Sequence, residues 1–199
     1  MKYKTIILDS KRYVSDLLYR NLSPGIEFHN LNHAKSVVKA SKSMANYYGL
    51  SEIEKTVLTI SAWFHDVGHI VEPNGHEVTS QNILEAFLKE RKISYGFIKK
   101  CSQCIMATQM NSSPGNQVEA IIRDADFSHI TDVTYWDLNK SLKREVEFLN
   151  KTTLTEQKWY EDNLEFLSTF SFCTDYYDIK FNGILSQRIL ENLKILEAL

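Results

Sequence analysis

An all-α fold is predicted by three features of the sequence. Apolar residues recur at helical spacing along nearly the whole chain. Only three prolines and seven glycines interrupt its 199 residues. Helix start and stop signals fall between the periodic segments. A first helix is expected to start near Ser10, a candidate N-cap, and to run through Val14, Leu17 and Leu18 until Ser23-Pro-Gly25 breaks it. A second should carry His29 and His33, continue through Val37, Val38 and Met44, and stop at Gly49. Ser51-Glu-Ile-Glu54 reads as a capping box that opens a third helix, which delivers His65 and Asp66 before Gly68 ends it. Further helices are predicted at roughly 76–91, 95–109, 116–129, 135–150, 155–168 and 183–198.

Composition narrows the classes of function. With 43% hydrophobic and 24% charged residues, the chain can bury the core of one globular domain. A net charge of −2 gives no bulk positive field for a nucleic-acid backbone, so a small anionic substrate fits better. The apolar run in Met1-Lys-Tyr-Lys-Thr-Ile-Ile-Leu8 is too short for a signal peptide, and no stretch is expected to span a membrane. Three cysteines do not make a disulfide framework, so a reducing cytoplasm is the expected setting.

The chemistry concentrates in His29-Asn-Leu-Asn-His33, His65-Asp66 and Asp124-Ala-Asp126. Residues four apart on a helix share a face, so His29 and His33 are expected to point into one pocket. Asp66 follows the apolar run Ile60-Ser-Ala-Trp-Phe64, and Asp126 follows Ala120-Ile-Ile122. An ionised carboxylate beside core residues is costly unless a cation or hydrogen bonds compensate it. A divalent metal supplies that compensation, with Asp126 as the natural fourth ligand. Two imidazoles and two carboxylates suit Mn, Mg, Fe, Co, Ni or Zn without distinguishing them. Such an ion lowers the pKa of water and stabilises charge on a phosphoryl group, as phosphoester hydrolysis requires. Lys35, Arg123 and Arg144 are candidate phosphate-binding cations, Arg by its bidentate fork.

These residues resemble the HD superfamily of metal-dependent phosphohydrolases, an all-helical group defined by His…His-Asp…Asp. Phe28-His-Asn-Leu-Asn-His-Ala-Lys-Ser-Val37 is similar to a segment of eukaryotic cyclic-nucleotide phosphodiesterases, with Phe28 in place of tyrosine. Ala62-Trp-Phe-His-Asp-Val-Gly-His69, Gly75-His-Glu77 with Ser80, and Arg123-Asp-Ala-Asp-Phe-Ser-His129 resemble blocks of a bacterial HD subgroup. So do Leu142-Lys-Arg-Glu145 and the stretch from Lys158 to Leu167. The resemblance implies one HD-type, phosphodiesterase-like helical bundle over 1–199, with a metal-binding core at about 26–130 and a helical completion at 131–199. It makes His33, His65, Asp66 and Asp126 the metal ligands, Asp66 also catalytic, and His29 the acid that protonates the leaving oxygen.

His69, His76 and Glu77 form a weaker set, because some HD proteins use histidines after the His-Asp pair for a second metal. Met106-Ala-Thr-Gln109 carries no histidine where two-metal relatives often have one, so one ion is the expected cofactor. The expected substrate is a small phosphorylated molecule, with a nucleotide favoured, and a homodimer stays open. Hydrolysis of a phosphoester by metal-activated water is the leading function; a metal-retaining, nucleotide-sensing module without turnover is the alternative. Cys101-Ser-Gln-Cys104 reads as a buried helix face, not a redox pair, since thiol redox motifs expect a βαβ setting. Arg144 and Lys143 alternate with Glu145 and Glu147, which reads as an exposed charged face. Phe166, Phe170, Phe172, Tyr176 and Tyr177 are expected to pack the C-terminal helices.

Overall fold

The computed structural model describes residues 2–199; Met1, where the expected domain begins, lies outside the described residues. Helices α1 (Lys2–Asn21), α2 (Leu31–Tyr47), α3 (Glu52–Phe64), α4 (His76–Glu90), α5 (Tyr95–Met106) and α6 (Gln117–Asp126) build the main core. Helices α7 (Tyr135–Asn150), α8 (Glu156–Thr169), α9 (Tyr176–Lys180) and α10 (Ile184–Ala198) complete the chain, with no strand among the described residues. Short 3₁₀ turns at Val67–Ile70 and Phe127–Thr131 extend α3 and α6.

Helix α3 is the axis of the molecule. Every residue from Thr56 to Phe64 is buried, as expected of a helix packed against α1, α2 and α5. Its start is the capping box read from the sequence: Glu54 N–H donates to Ser51 Oγ and Ser51 N–H donates to Glu54 Oε2, at 3.3 and 2.9 Å. Helix α2 ends with Gly49 at φ +64°, where Leu50 N–H reaches Ala45 O at 2.9 Å and Gly49 N–H reaches Asn46 O at 3.2 Å. That pattern is a Schellman closure, and its left-handed residue favours glycine. A smaller core of Ile130, Tyr135 and Leu167, with Phe127, Trp136, Phe166 and Phe170 packed on it, joins α7, α8 and α10 to the rest.

Four local expectations are corrected. Helix α1 starts eight residues before Ser10, whose buried hydroxyl donates back to Ile6 O at 2.8 Å instead of capping. His29 lies before α2, because Asn30 is the N-cap, its Oδ1 accepting from Asn32 and His33 N–H at 2.7 and 3.4 Å. Gly68 does not end α3, which stops at Phe64. It permits close approach instead, since a Cβ there would lie 2.0 Å from the His76 carbonyl oxygen. Its N–H donates to Ser80 Oγ at 2.8 Å, which pins the 3₁₀ turn against α4. Finally, the sequence reading missed α9, whose five residues are too few for periodicity to register.

Candidate metal centre

His33 sits in the first turn of α2, His65 and Asp66 just after α3, and Asp126 at the end of α6. Their four ligand atoms lie within 4.8 Å of one another. His65 Nδ1 is 2.9 Å from the Ala62 carbonyl oxygen, which can only accept, so Nδ1 is the donor. In the neutral ring Nε2 then carries a lone pair, 3.3 Å from His33 Nε2, 3.0 Å from Asp66 Oδ2 and 3.4 Å from Asp126 Oδ1. His33 Nε2 is also 2.9 Å from Asp126 Oδ1 and 3.2 Å from Asp66 Oδ2. A backbone carbonyl that fixes one imidazole nitrogen while the other faces carboxylates is the arrangement that orients metal-binding histidines.

The electrostatics point the same way. Burial alone would lower the pKa of both imidazoles, yet the two carboxylates outweigh it, taking His33 up to about 9 and His65 well above its ordinary value. Burial likewise opposes ionisation of Asp66 and Asp126, and their contacts with the imidazoles hold both carboxyls below the ordinary range. Two carboxylates facing two imidazoles favour positive charge at the centre, and Asp66 Oδ2 is buried there without a hydrogen bond. A divalent ion supplies that charge with both rings neutral.

Asp66 also faces a second group. Its Oδ1 lies 3.3 Å from His76 Nε2, while His76 Nδ1 donates to Pro73 O at 3.0 Å. His69 is buried with neither ring nitrogen hydrogen-bonded, and it stacks between His29 and His76 at centroid separations of 4.4 and 4.0 Å. Burial pushes the His69 pKa down to about 3, so it is a neutral ring with a lone pair to offer. One ligand atom each from Asp66, His69 and His76 falls within 4.8 Å. Glu77 stands at the edge, its Oε1 3.8 Å from His76 Nε2.

His29 joins the site by a route the sequence reading did not find. Buried Glu145 of α7 accepts hydrogen bonds from the N–H groups of Phe28 and His29, at 2.7 and 3.1 Å, and from His29 Nδ1. Burial works to raise the Glu145 pKa, but these contacts with His29 and Phe28 outweigh it and hold the carboxyl below its usual range. His29 Nε2 is thereby left available to a cavity of about 420 Å³ above the centre, lined also by Asp66, Asp126 and His76. Glu145 reads as a surface charge in sequence because its partners are 116 and 117 residues away.

The three expected phosphate-binding cations do not line this cavity. Arg123 donates to the carbonyls of Ala107, Gln109 and Met110 and to Ser112 Oγ, bracing the loop between α5 and α6. Arg144 is paired with Glu27 at 2.7 Å, and Lys35 is exposed on α2. His129 does line the cavity; burial lowers its pKa to about 4, and its Nδ1 lies 3.2 Å from Asp126 O. Asp124 is buried elsewhere, accepting from Cys173 N–H, Thr174 N–H and Thr174 Oγ1 at 2.6–2.8 Å to tie α6 to the segment before α9. Cys101 and Cys104 are buried free thiols whose pKa burial raises, to about 12 for Cys104.

An all-helical bundle whose helix ends deliver two imidazoles and two carboxylates to one buried point defines a candidate metalloprotein. The family described as HD domain matches residues 30–134, more than half of the chain, and the protein belongs to that family. The match takes in His33, His65, Asp66 and Asp126, and HD-domain proteins are generally metal-dependent hydrolases that bind divalent ions. No curated protein and no solved structure matches the chain.

Proposed function

We propose that this protein is a metal-dependent phosphohydrolase that cleaves a phosphoester of a small molecule, with His33, His65, Asp66 and Asp126 as metal ligands. The observation that carries the reading is the buried, unpartnered Asp66 Oδ2 beside two imidazole Nε2 atoms, at the floor of a cavity large enough for a small substrate. A divalent ion held there supplies positive charge against a phosphoryl oxygen and acidifies water. The chain's own residues do the remainder. Glu145 accepts from His29 Nδ1 and fixes the ring, so that the doubly protonated imidazole keeps its Nδ1–H on the carboxylate and delivers its Nε2 proton to the leaving oxygen. Asp66 serves both the four-residue centre and the His69–His76 group, which makes it the residue whose loss should cost most.

The unpartnered nitrogens of His69 favour a second reading of the cofactor, two ions sharing Asp66, with His69 and His76 as ligands of the second. Metal content per chain decides between one ion and two.

The test is phosphate release by Mn-loaded protein over a panel of nucleoside mono-, di- and triphosphates, cyclic nucleotides and simple phosphomonoesters, with Asp66→Ala as control. Release that needs the metal and disappears in the variant supports the proposal. Tight metal binding with no release from any ester overturns it in favour of a binding or sensing module.

A further inference from the structure

The cavity has two sides of different chemistry. His29, Asp66, His76 and Asp126 form the side at the metal centre, and Phe127, Tyr135, Trp159 and Phe166 form the far wall. The rings of Phe127 and Phe166 are 5.9 Å apart and tilted by 30°, within the range of favourable aromatic contact. Asn139 and Asn163 line the same cavity, and their amides hydrogen-bond within the protein. Trp159 Nε1 donates to Asn139 Oδ1 at 2.7 Å; Asn139 Nδ2 and the Tyr135 hydroxyl both donate to Asn163 Oδ1, at 2.8 and 3.0 Å. Asn163 Nδ2 donates onward to Asn192 Oδ1 at 2.8 Å. The Asn163 oxygen already accepts twice and the Asn139 oxygen once, so the wall offers a ligand few free acceptors, and an apolar ring can lie against it with the chain intact.

Charge gives the second argument. No lysine or arginine is among the described residues that line the cavity, while Glu77 and Asp162 add carboxylates beyond those at the centre. Arg123 and Arg144 are engaged elsewhere. One phosphate group can be balanced at the metal centre. A second or third would face carboxylates and aromatic carbon with no fixed cation to offset the lost hydration.

Building on the phosphohydrolase reading, we infer that the substrate is a single-phosphate ester of an uncharged aromatic or apolar body, and that nucleoside di- and triphosphates are selected against. The test compares kcat/KM of the Mn-loaded full chain for 1-naphthyl phosphate and for a nucleoside triphosphate, with metal kept stoichiometric. Calorimetric binding of naphthyl phosphonate and of the same triphosphate is measured in parallel. At least a tenfold preference for the naphthyl compounds is expected. Met110 lines the cavity and is 61% exposed, so Met110→Lys is accommodated without repacking and should narrow that preference at least threefold. Equal or better use of the triphosphate overturns the inference and leaves hydrolysis standing. If neither ester is cleaved, hydrolysis of this class fails, and calorimetry still decides: a tighter phosphonate supports the inferred ligand class, and an equal or tighter triphosphate overturns it.

Discussion

Glutamine at Glu145 should slow turnover while leaving the metal in place. Glu145 touches none of the four candidate ligands, and its contacts are the N–H groups of Phe28 and His29 and the His29 ring. Glutamine keeps an oxygen for the two N–H groups but turns an NH₂ toward Nδ1, which then has to accept instead of donate. Without the carboxylate, the doubly protonated ring that donates from Nε2 loses its partner, and the neutral ring left behind is a poor acid. Loss of such an orienting partner costs about 10–100-fold in rate. Alanine would add a stability defect, because three hydrogen bonds to a carboxylate go and the buried Phe28 N–H is left without its acceptor. The net loss should be about 2–4 kcal/mol, or about 5–15 °C in melting temperature for a chain of this size. Steady-state phosphate release, metal analysis and thermal melting on the same preparations read the three quantities. The pH dependence has a defined sign. A carboxyl whose folded pKa is depressed contributes stability that is complete above its unfolded value, about 4.3, and that fades as pH falls through the lower folded value. The stability gap between wild type and Glu145→Gln should therefore close on acidification below about pH 4. A Glu145→Gln protein with kcat within threefold of wild type would refute the pairing as a catalytic device.

Gly68→Ala should be among the most damaging single-methyl changes, since its Cβ would sit 2.0 Å from backbone and force the 3₁₀ turn away from α4. A loss above about 2 kcal/mol in urea unfolding, with impaired turnover from displaced His69 and His76, is expected; a loss under half that would show that the contact relaxes freely. Arg144→Ala should leave KM within twofold, because the side chain pairs with Glu27 outside the cavity; a tenfold rise would restore it as a phosphate ligand. Chelation should lower the melting temperature and added Mn should restore it, by about 2.7 kcal/mol at metal a hundred times above Kd. An unchanged melting temperature would argue that no structural ion was bound.

Helix order was legible because long amphipathic segments and the Ser51–Glu54 box declare themselves within a few residues of chain. The cap at Asn30 was equally local and readable, yet four-residue histidine spacing suggested a helix that starts too early. His33, His65, Asp66 and Asp126 were recognisable together because carboxylates beside apolar runs need compensation, wherever the chain goes. Glu145 carried no such mark. The charged residues around it in sequence are Lys143, Arg144 and Glu147, and the packing of α7 against the segment before α2 buries it. Arg123 failed in the opposite sense: a guanidinium near a ligand motif looked free, and the fold uses it on loop carbonyls. Local rules find helices and ligand clusters; the partners of single charges are decided by tertiary contacts.

The boundary of the family match cuts through the cavity. Asp66, His76 and Asp126 of its metal side and Phe127 of its far wall lie within 30–134, His29 stands one residue ahead of it, and Tyr135, Asn139, Trp159, Asn163 and Phe166 lie beyond it, as does Glu145. Asn192 of α10 is linked to this wall through Asn163. Most of the far wall is thus encoded after the four candidate ligands, so substitutions in the last third of the chain can reshape the pocket without touching those four residues. A graft that exchanges residues 135–199 between relatives would transplant most of that wall as a unit, provided the donor stretch also carries a glutamate at position 145 to keep His29 in register.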